Sequence, residues 1–265
     1  MDVLKLSLRD LAYHWPRFPA GADKYARGVV GVVTGSDRYP GAAVLSVLGA
    51  LNAGAGFIRY SGTEAARDAV LTRAPSVTFG PGRVNAWVAG CGWDEDEVGA
   101  NQERWQMIMD SKVPVVADAG ALALAADGVP DGSLLTPHAG ELARLLGVGR
   151  DVVEQDPPRS ARQAAALFKT TVLLKGHSQF VATPDGTVVQ APEGPSWPAR
   201  AGSGDVLAGI AGTLLAQIGD PKWAGLVAAG IQAYASLEQP GPYPPDRVAE
   251  ALPGLIGRMV TNDSR

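Results

Sequence analysis

The stretch Ala201-Gly202-Ser203-Gly204-Asp205-Val206-Leu207 holds the residue types best placed to do chemistry. Its two glycines let backbone amides approach a ligand, because no Cβ stands in the way. The residues that follow are apolar on most sides, which predicts a buried helix directing its positive end into the protein. Free N–H groups at such a terminus donate to phosphate oxygens or to a developing anion. Asp205 falls in the first turn, where the dipole favours its ionised form. A carboxylate there can take a proton from a hydroxyl as that oxygen attacks phosphorus. The plain alternative is that Asp205 caps the helix, the common use of Asp at a helix start. Ser203 is available for capping, which frees Asp205 for chemistry. The stretch lacks G-x-G-x-x-G spacing and follows a loop, so it is not a Rossmann fingerprint.

These residues need a scaffold, and the chain supplies one. Ser7-Leu8-Arg9-Asp10 begins like a capping box for a short helix that ends before Pro16. Residues 28–34 form a β-branched run broken by Gly35-Ser36, and a small-residue helix follows over 40–52. Strands are expected at 57–60, 84–89, 113–117, 133–135 and 171–174, with a hairpin over 180–190 that turns at Pro184-Asp185-Gly186. Helices are expected over 94–109 and 160–168, then, after a Pro/Gly/Ser-rich loop at 191–203, over 204–217, 222–238 and 246 to about 260. Strands alternating with helices predict an α/β fold, a mostly parallel central sheet with helices on both faces. No repeat or long linker divides the 265 residues, so one domain over 1–265 is expected.

Composition narrows the function. A net charge of −4 argues against a general nucleic-acid binder, which needs clustered Lys and Arg. One cysteine, Cys91, rules out an internal disulfide framework and a C-x-x-C site. Apolar runs fall short of the ~20 residues a membrane span requires, and charges interrupt the N-terminal segment, so the expected compartment is the cytoplasm.

Five segments in order resemble the ADP/ATP-dependent NAD(P)H-hydrate dehydratases of the ribokinase-like superfamily. GSGDVLAGIAGTLLAQ is similar to their G-[TS]-G-D-x-L-x-G segment. VVTGSDRYPGAAVLS resembles a glycine-containing strand–turn–helix, and PVVADAGAL a strand end. LLTPHAGELARLLG is similar to T-P-H-x-G-E-x-x-x-L-x-G, and VLLKGHSQFVATPDG to a K-G nucleotide loop with its hairpin. The resemblance covers about residues 24–235.

It implies a ribokinase-like fold and ADP- or ATP-dependent return of the S-form hydrate of NADH or NADPH to the normal cofactor. Phosphoryl transfer activates the hydrate's hydroxyl, which is then eliminated. By resemblance Asp205 is the base and a substrate contact. Gly204 and the loop Lys175, Gly176, His177, Ser178 and Gln179 contact the nucleotide, while Ala43, Gly92 and His138 contact the hydrate. Physically, Lys175 past a strand end suits a phosphate or is a solvated charge. Ala43 is a backbone donor in a first helical turn or a packing residue. Gly92 follows a strand, as ligand contact or turn glycine. His138 follows Thr136-Pro137, read as N-cap and N1, and is a ligand or a helix-end residue. Glu141 holds magnesium through water or serves helix electrostatics, so the metal site stays open.

The resemblance further implies Mg2+, a homotetramer and an NAD(P)H-hydrate epimerase as possible partner, the chain being either stand-alone or the C-terminal part of a bifunctional product. Departures from the family pattern are Trp197 and Arg200 in the 193–202 loop, Gln179 where Thr is usual, and Gly90-Cys91-Gly92 where Gly-Pro-Gly is usual. They bear on ADP-versus-ATP preference. Two other readings share Asp205: a ribokinase-like kinase of a small thiazole- or pyrimidine-type alcohol, and a nucleotide-binding domain without turnover.

Overall fold

The computed structural model describes residues 3–80, 82–197 and 199–262. Among them ten strands share one sheet. They are β1 Leu4–Lys5, β2 Val29–Val33, β3 Phe57–Tyr60, β4 Thr78–Phe79, β5 Ala86–Ala89, β6 Val115–Ala117, β7 Leu134–Leu135, β8 Thr171–Leu174, β9 Phe180–Ala182 and β10 Val188–Gln190. The spatial order is β1-β10-β9-β8-β7-β6-β5-β2-β3-β4. From β8 to β4 every pairing is parallel, and β9 runs antiparallel between β8 and β10. The helices are α1 Leu8–His14, α2 Pro40–Asn52, α3 Glu64–Arg73, α4 Val98–Ser111, α5 Leu122–Ala125, α6 Ala139–Leu146, α7 Arg150–Gln155, α8 Pro157–Phe168, α9 Ser203–Ile218, α10 Pro221–Glu238 and α11 Pro245–Asn262.

The period of two along each strand divides the apolar residues between two cores. Val30, Val32, Val88, Val116 and Leu173 join the core that holds α2, α9, α10 and α11. Val29, Val33, Ala89, Val115, Val172 and Leu174 join the core beneath α4, α5, α6 and α8. Strands buried on both sides read as continuous Val/Leu runs rather than alternations, as parallel sheets require. The predicted α/β fold with helices on both faces is therefore what forms.

Helix α9 lies against the sheet and against α2. A Cβ on Gly49 would run into the Val206 carbonyl, and one on Gly209 into that of Ser46. Glycine at both contacts lets the two backbones touch and fixes where α9 begins. Residues 206–215 are buried, as the apolar run predicted.

Several elements lie outside the sequence reading. β1 has two exposed residues and exists through its pairing with β10. The apolar residues of α3 are mostly alanines, and Thr63 caps it by accepting from Ala66 N. β4 and α7 are too short to carry a period. α4 starts at Val98 rather than 94, because Asp94 to Glu97 form a turn, with Glu97 N donating to Asp94 O at 3.0 Å. Among the described residues no helix is long and apolar enough to cross a membrane.

Candidate active site at the carboxyl edge of the sheet

Chain segments leaving the carboxyl ends of the central strands converge at the start of α9. β5 runs into Cys91 and Gly92, β6 into Asp118, β7 into Thr136 and His138, and β8 into Lys175. β7 and β8 stay side by side past their ends, with His138 bridged to Lys175 and Lys175 N donating to Pro137 O at 2.8 Å.

The centre of this cluster is a carboxylate to which the sequence reading gave no role. Asp118 is 2% exposed. Its Oδ1 accepts from Lys175 Nζ and from Thr136 Oγ1 at 3.0 Å. Its Oδ2 accepts from Cys91 Sγ at 3.5 Å. Lys175 Nζ also lies 3.9 Å from Glu141 Oε2. Burial pulls the Lys175 pKa down, but Asp118 and Glu141 outweigh burial and raise it, so the ammonium is charged at neutral pH. Lys175 does reach the sheet's carboxyl edge. It is not a solvated charge, however: its side chain is 15% exposed and its charge is balanced inside the protein.

The expected Thr136-Pro137 cap pair is corrected too. His138 is itself the N-cap of α6, its Nδ1 accepting from Gly140 N at 3.0 Å and Glu141 N at 3.2 Å. Glu141 returns the contact, its Oε2 accepting from His138 N at 2.7 Å, which completes a capping box. The Thr136 hydroxyl is committed to Asp118 instead. With Nδ1 an acceptor, a neutral His138 carries its proton on Nε2.

At α9 the cap is Gly202, in the left-handed region at φ 92°, and no side chain caps the helix. Ser203 is the first helical residue rather than the cap. Asp205 sits two residues later; its carboxyl faces Cys91 and Asp118, and the ligand atoms of the three lie within 4.8 Å of one another. Burial first, then the Asp118 charge, push the Asp205 pKa up to about 6, against the pull of Lys175 and Cys91. The helix dipole's preference for the anion is thus outweighed. A carboxyl that titrates near neutrality is suited to accept a proton during catalysis.

This has a consequence for stability. The folded protein binds the Asp205 proton more tightly than an unfolded chain with the ordinary value of 3.8. The carboxylate therefore costs stability above about pH 6 and costs nothing below about pH 4. Asp205→Asn is expected to stabilise the protein by ~1–3 kcal/mol at neutral pH, with the gain fading as the pH falls through that window. Thermal melts of both proteins at about pH 7.5 and 4.5 check it; an equal offset at both would contradict it.

Beside this cluster opens a cavity of about 500 Å³. Lys175, Gly176, His177 and Gln179 of the expected nucleotide loop line it, together with His138, Ser203, Gly204 and Arg200. Ser178 is the exception: its Oγ donates to Glu193 Oε1 at 2.6 Å, and it borders a neighbouring cavity of about 480 Å³. Ala43 and Gly92 line neither cavity. Ala43 is fully buried, and a Cβ on Gly92 would run into Ala42, so the first turn of α2 packs on the turn after β5. Trp197 is exposed and borders neither cavity.

The cavity suits a nucleotide's phosphates. A Cβ at Gly204 would stand at ordinary contact distance, 3.4 Å from Lys175 Nζ and 3.5 Å from Asp118 Oδ2, so this helix terminus faces the buried ion pair directly. The Cys91, Asp118 and Asp205 trio does not suit magnesium. Burial first, then the flanking carboxylates, hold the thiol protonated, and magnesium demands oxygen ligands in octahedral geometry. Glu141 is committed to His138 and Lys175. Gly204→Val is expected to weaken ADP binding by ~10-fold or more while leaving the fold in place, its branched side chain filling the anion site. Calorimetric titration beside a thermal melt measures both, and unchanged ADP affinity would put the phosphate site elsewhere.

Fold and site together define a ribokinase-like α/β protein with a glycine-lined helix terminus at a nucleotide-sized cavity. A ribokinase-like superfamily protein from Enterococcus faecalis shares the fold, with a TM-score of 0.84 at 22% identity over 97% of this chain and 96% of that one. The NAD(P)H-hydrate dehydratase family profile matches residues 30–253, and the chain belongs to that family. It is 44% identical over 226 residues to the bifunctional NAD(P)H-hydrate repair enzyme Nnr of Mycobacterium tuberculosis, which aligns 81% of this chain but 46% of that protein. The chain thus spans less than half the length of that relative. It is 34% identical over 220 residues to the ADP-dependent (S)-NAD(P)H-hydrate dehydratase of Neisseria meningitidis, covering 76% of this chain and 74% of that one. The crystal structure of the ADP/ATP-dependent NAD(P)H-hydrate dehydratase from Bacillus subtilis, co-crystallized with ATP/Mg2+, superposes with a TM-score of 0.90 at 26% identity, covering 98% and 99% of the two chains.

Proposed function

We propose that this protein is an ADP- or ATP-dependent (S)-NAD(P)H-hydrate dehydratase, returning hydrated NADH or NADPH to its normal form. The observation that carries the reading is the placement of Asp205: a half-buried carboxyl, its pKa pushed up to about 6, in the first turn of α9 next to Gly204 and the Lys175-lined cavity. Family membership supplies the substrate class. A nucleoside diphosphate or triphosphate held by the Lys175 loop and the α9 amides would supply the phosphoryl group that makes the hydrate's hydroxyl a leaving group. Asp205 takes the hydroxyl proton as the oxygen attacks phosphorus. The open amides at the start of α9, with Gly204 among them, donate to the transferring phosphate's oxygens. Lys175, its ammonium held by Asp118, lines the cavity wall beside them. The C–O bond to the phosphoryl group then breaks, and the departing phosphate takes the neighbouring ring proton, which restores the double bond.

By this reading Lys175, Gly176, His177, Gln179 and Gly204 face the nucleotide, with Ser178 acting through its bond to Glu193 rather than by lining the cavity. Ala43, Gly92 and His138 are assigned to the hydrate; for Ala43 and Gly92 the support is family resemblance alone, and each contributes backbone. The reading extends to one ribokinase-like domain, to a cytoplasmic homotetramer, and to an NAD(P)H-hydrate epimerase as partner, since the mycobacterial relative is named bifunctional. Light scattering on the purified protein tests the tetramer. Turnover of prepared hydrate with and without ADP tests the activity.

A further inference from the structure

Asp118 is buried, paired with Lys175 and unassigned by the mechanism above, yet it holds three side-chain partners. Three donors from three different strand ends hold it: Lys175 and Thr136 on Oδ1, Cys91 on Oδ2. The Cys91 thiol lies within reach of Asp205 as well, so one weak donor serves two carboxylates. The oxygens of the two carboxyl groups approach within 4.8 Å, Asp118 buried and Asp205 half-buried, so the Asp118 charge disfavours ionisation of Asp205. Asp118 has the ammonium as direct partner, and Asp205 does not.

We infer that Asp118 is a positioning residue that governs the basicity of Asp205, its clamped negative charge keeping the Asp205 carboxyl a strong enough base to take a proton at neutral pH. The same clamp holds Lys175 against the wall of the cavity beside Gly204. Without it the ammonium would turn to Asp205 and quench the base by pairing with it. Asp118 acts through these two residues.

The surroundings leave Asp118 as the group able to do this. Among the described residues, Cys91 after β5, Asp118 after β6 and Lys175 after β8 are the charged or titratable groups that face Asp205. On α6, Glu141 acts through Lys175, and the His138 imidazole is held at the N-cap. α10 brings the uncharged Gln232, bonded to Ser203 O at 2.8 Å. On α11, Asp246 and Glu250 are paired with Arg73, and α2 brings Ser46, whose hydroxyl donates to Ala42 O. Burial is the largest cause of the raised Asp205 value and Asp118 the next, ahead of the opposing Lys175.

The inference rests on Asp205 being the base, and the test separates the two. The Asp205 carboxyl carbon is followed by NMR through a pH titration of the folded protein, its signal assigned by its loss in Asp205→Asn. In Asp118→Asn the midpoint is expected to fall by about one pH unit or more, and the acid limb of the turnover profile to move with it. Asp118→Asn/Lys175→Met removes both charges of the buried pair, which favours folding should the single variant fail. Its midpoint is expected to lie below wild type by a smaller step, since Asp118 outweighs Lys175. A midpoint in either folded variant that coincides with wild type overturns the inference, whatever happens to melting temperature. If the midpoint falls but Asp205→Asn retains turnover, the basicity control stands and the reading of Asp205 as the base does not.

Discussion

Asp205→Asn is expected to lower turnover ~100- to 10,000-fold while leaving ADP affinity nearly unchanged. The substitution keeps the side chain's shape, and Asp205 does not line the cavity beside Gly204, so the nucleotide loses no contact. What goes is the proton acceptor. Asn cannot take the hydroxyl proton, and the neighbouring Asp118 cannot substitute, because Lys175, Thr136 and Cys91 already occupy its oxygens. Steady-state rates beside calorimetric ADP titration give both quantities. Near-wild-type turnover in the folded variant would remove Asp205 from the chemistry. Together with the stability gain expected at neutral pH, the variant would be more stable and inactive, as happens where a site holds a charge the fold would rather lose.

Lys175→Ala is expected to do more than weaken nucleotide binding. On the sequence alone a solvated lysine would cost at most about 0.5 kcal/mol when removed, with melting temperature barely moved. In the structure its loss strands the Asp118 carboxylate, whose side chain is 3% exposed. Breaking one partner out of a buried pair costs ~3–5 kcal/mol. In a protein of this size that lowers the melting temperature by roughly 10 °C, at 2–4 °C per kcal/mol. The Lys175 pKa is raised by its partners, so its stabilisation is fully present below the ordinary lysine value and is lost only as pH rises through the folded one. High salt should change the effect little, because a buried pair is poorly screened. Melts of Lys175→Ala at low and high salt measure this, and a drop of only a degree would show that Asp118 finds another partner.

These contrasts mark what the sequence could carry. The boundaries of α2, β3 and β8 were legible because Pro40, Gly56 and Thr170 to Leu174 state them locally. The chemistry of Gly204 and Asp205 was legible because both lie in one turn. Asp118 was not, though PVVADAGAL was recognised as a strand end, because its meaning lies in partners elsewhere. Lys175 is 57 residues away and Thr136 is 18. Those pairs exist because β6, β7 and β8 lie side by side, and strand order is not written in any one segment. His138 shows the same gap on a smaller scale. Thr-Pro before a helix reads as a cap, but the Thr136 hydroxyl turns back to Asp118 and the Ala117 carbonyl, and His138 caps α6.

The central claim is that this site restores a hydrated nicotinamide nucleotide at the expense of a nucleotide phosphate. Its most direct test mixes the purified protein with prepared S-form NADH hydrate, ADP and Mg2+, and follows NADH absorbance while AMP and phosphate are assayed in the same samples. The account predicts NADH, AMP and phosphate in equal amounts, no recovery without ADP, and none with Asp205→Asn. Phosphorylated substrate building up with no NADH would mark a kinase that stops at the first step, and no consumption of hydrate or ADP would contradict the activity altogether.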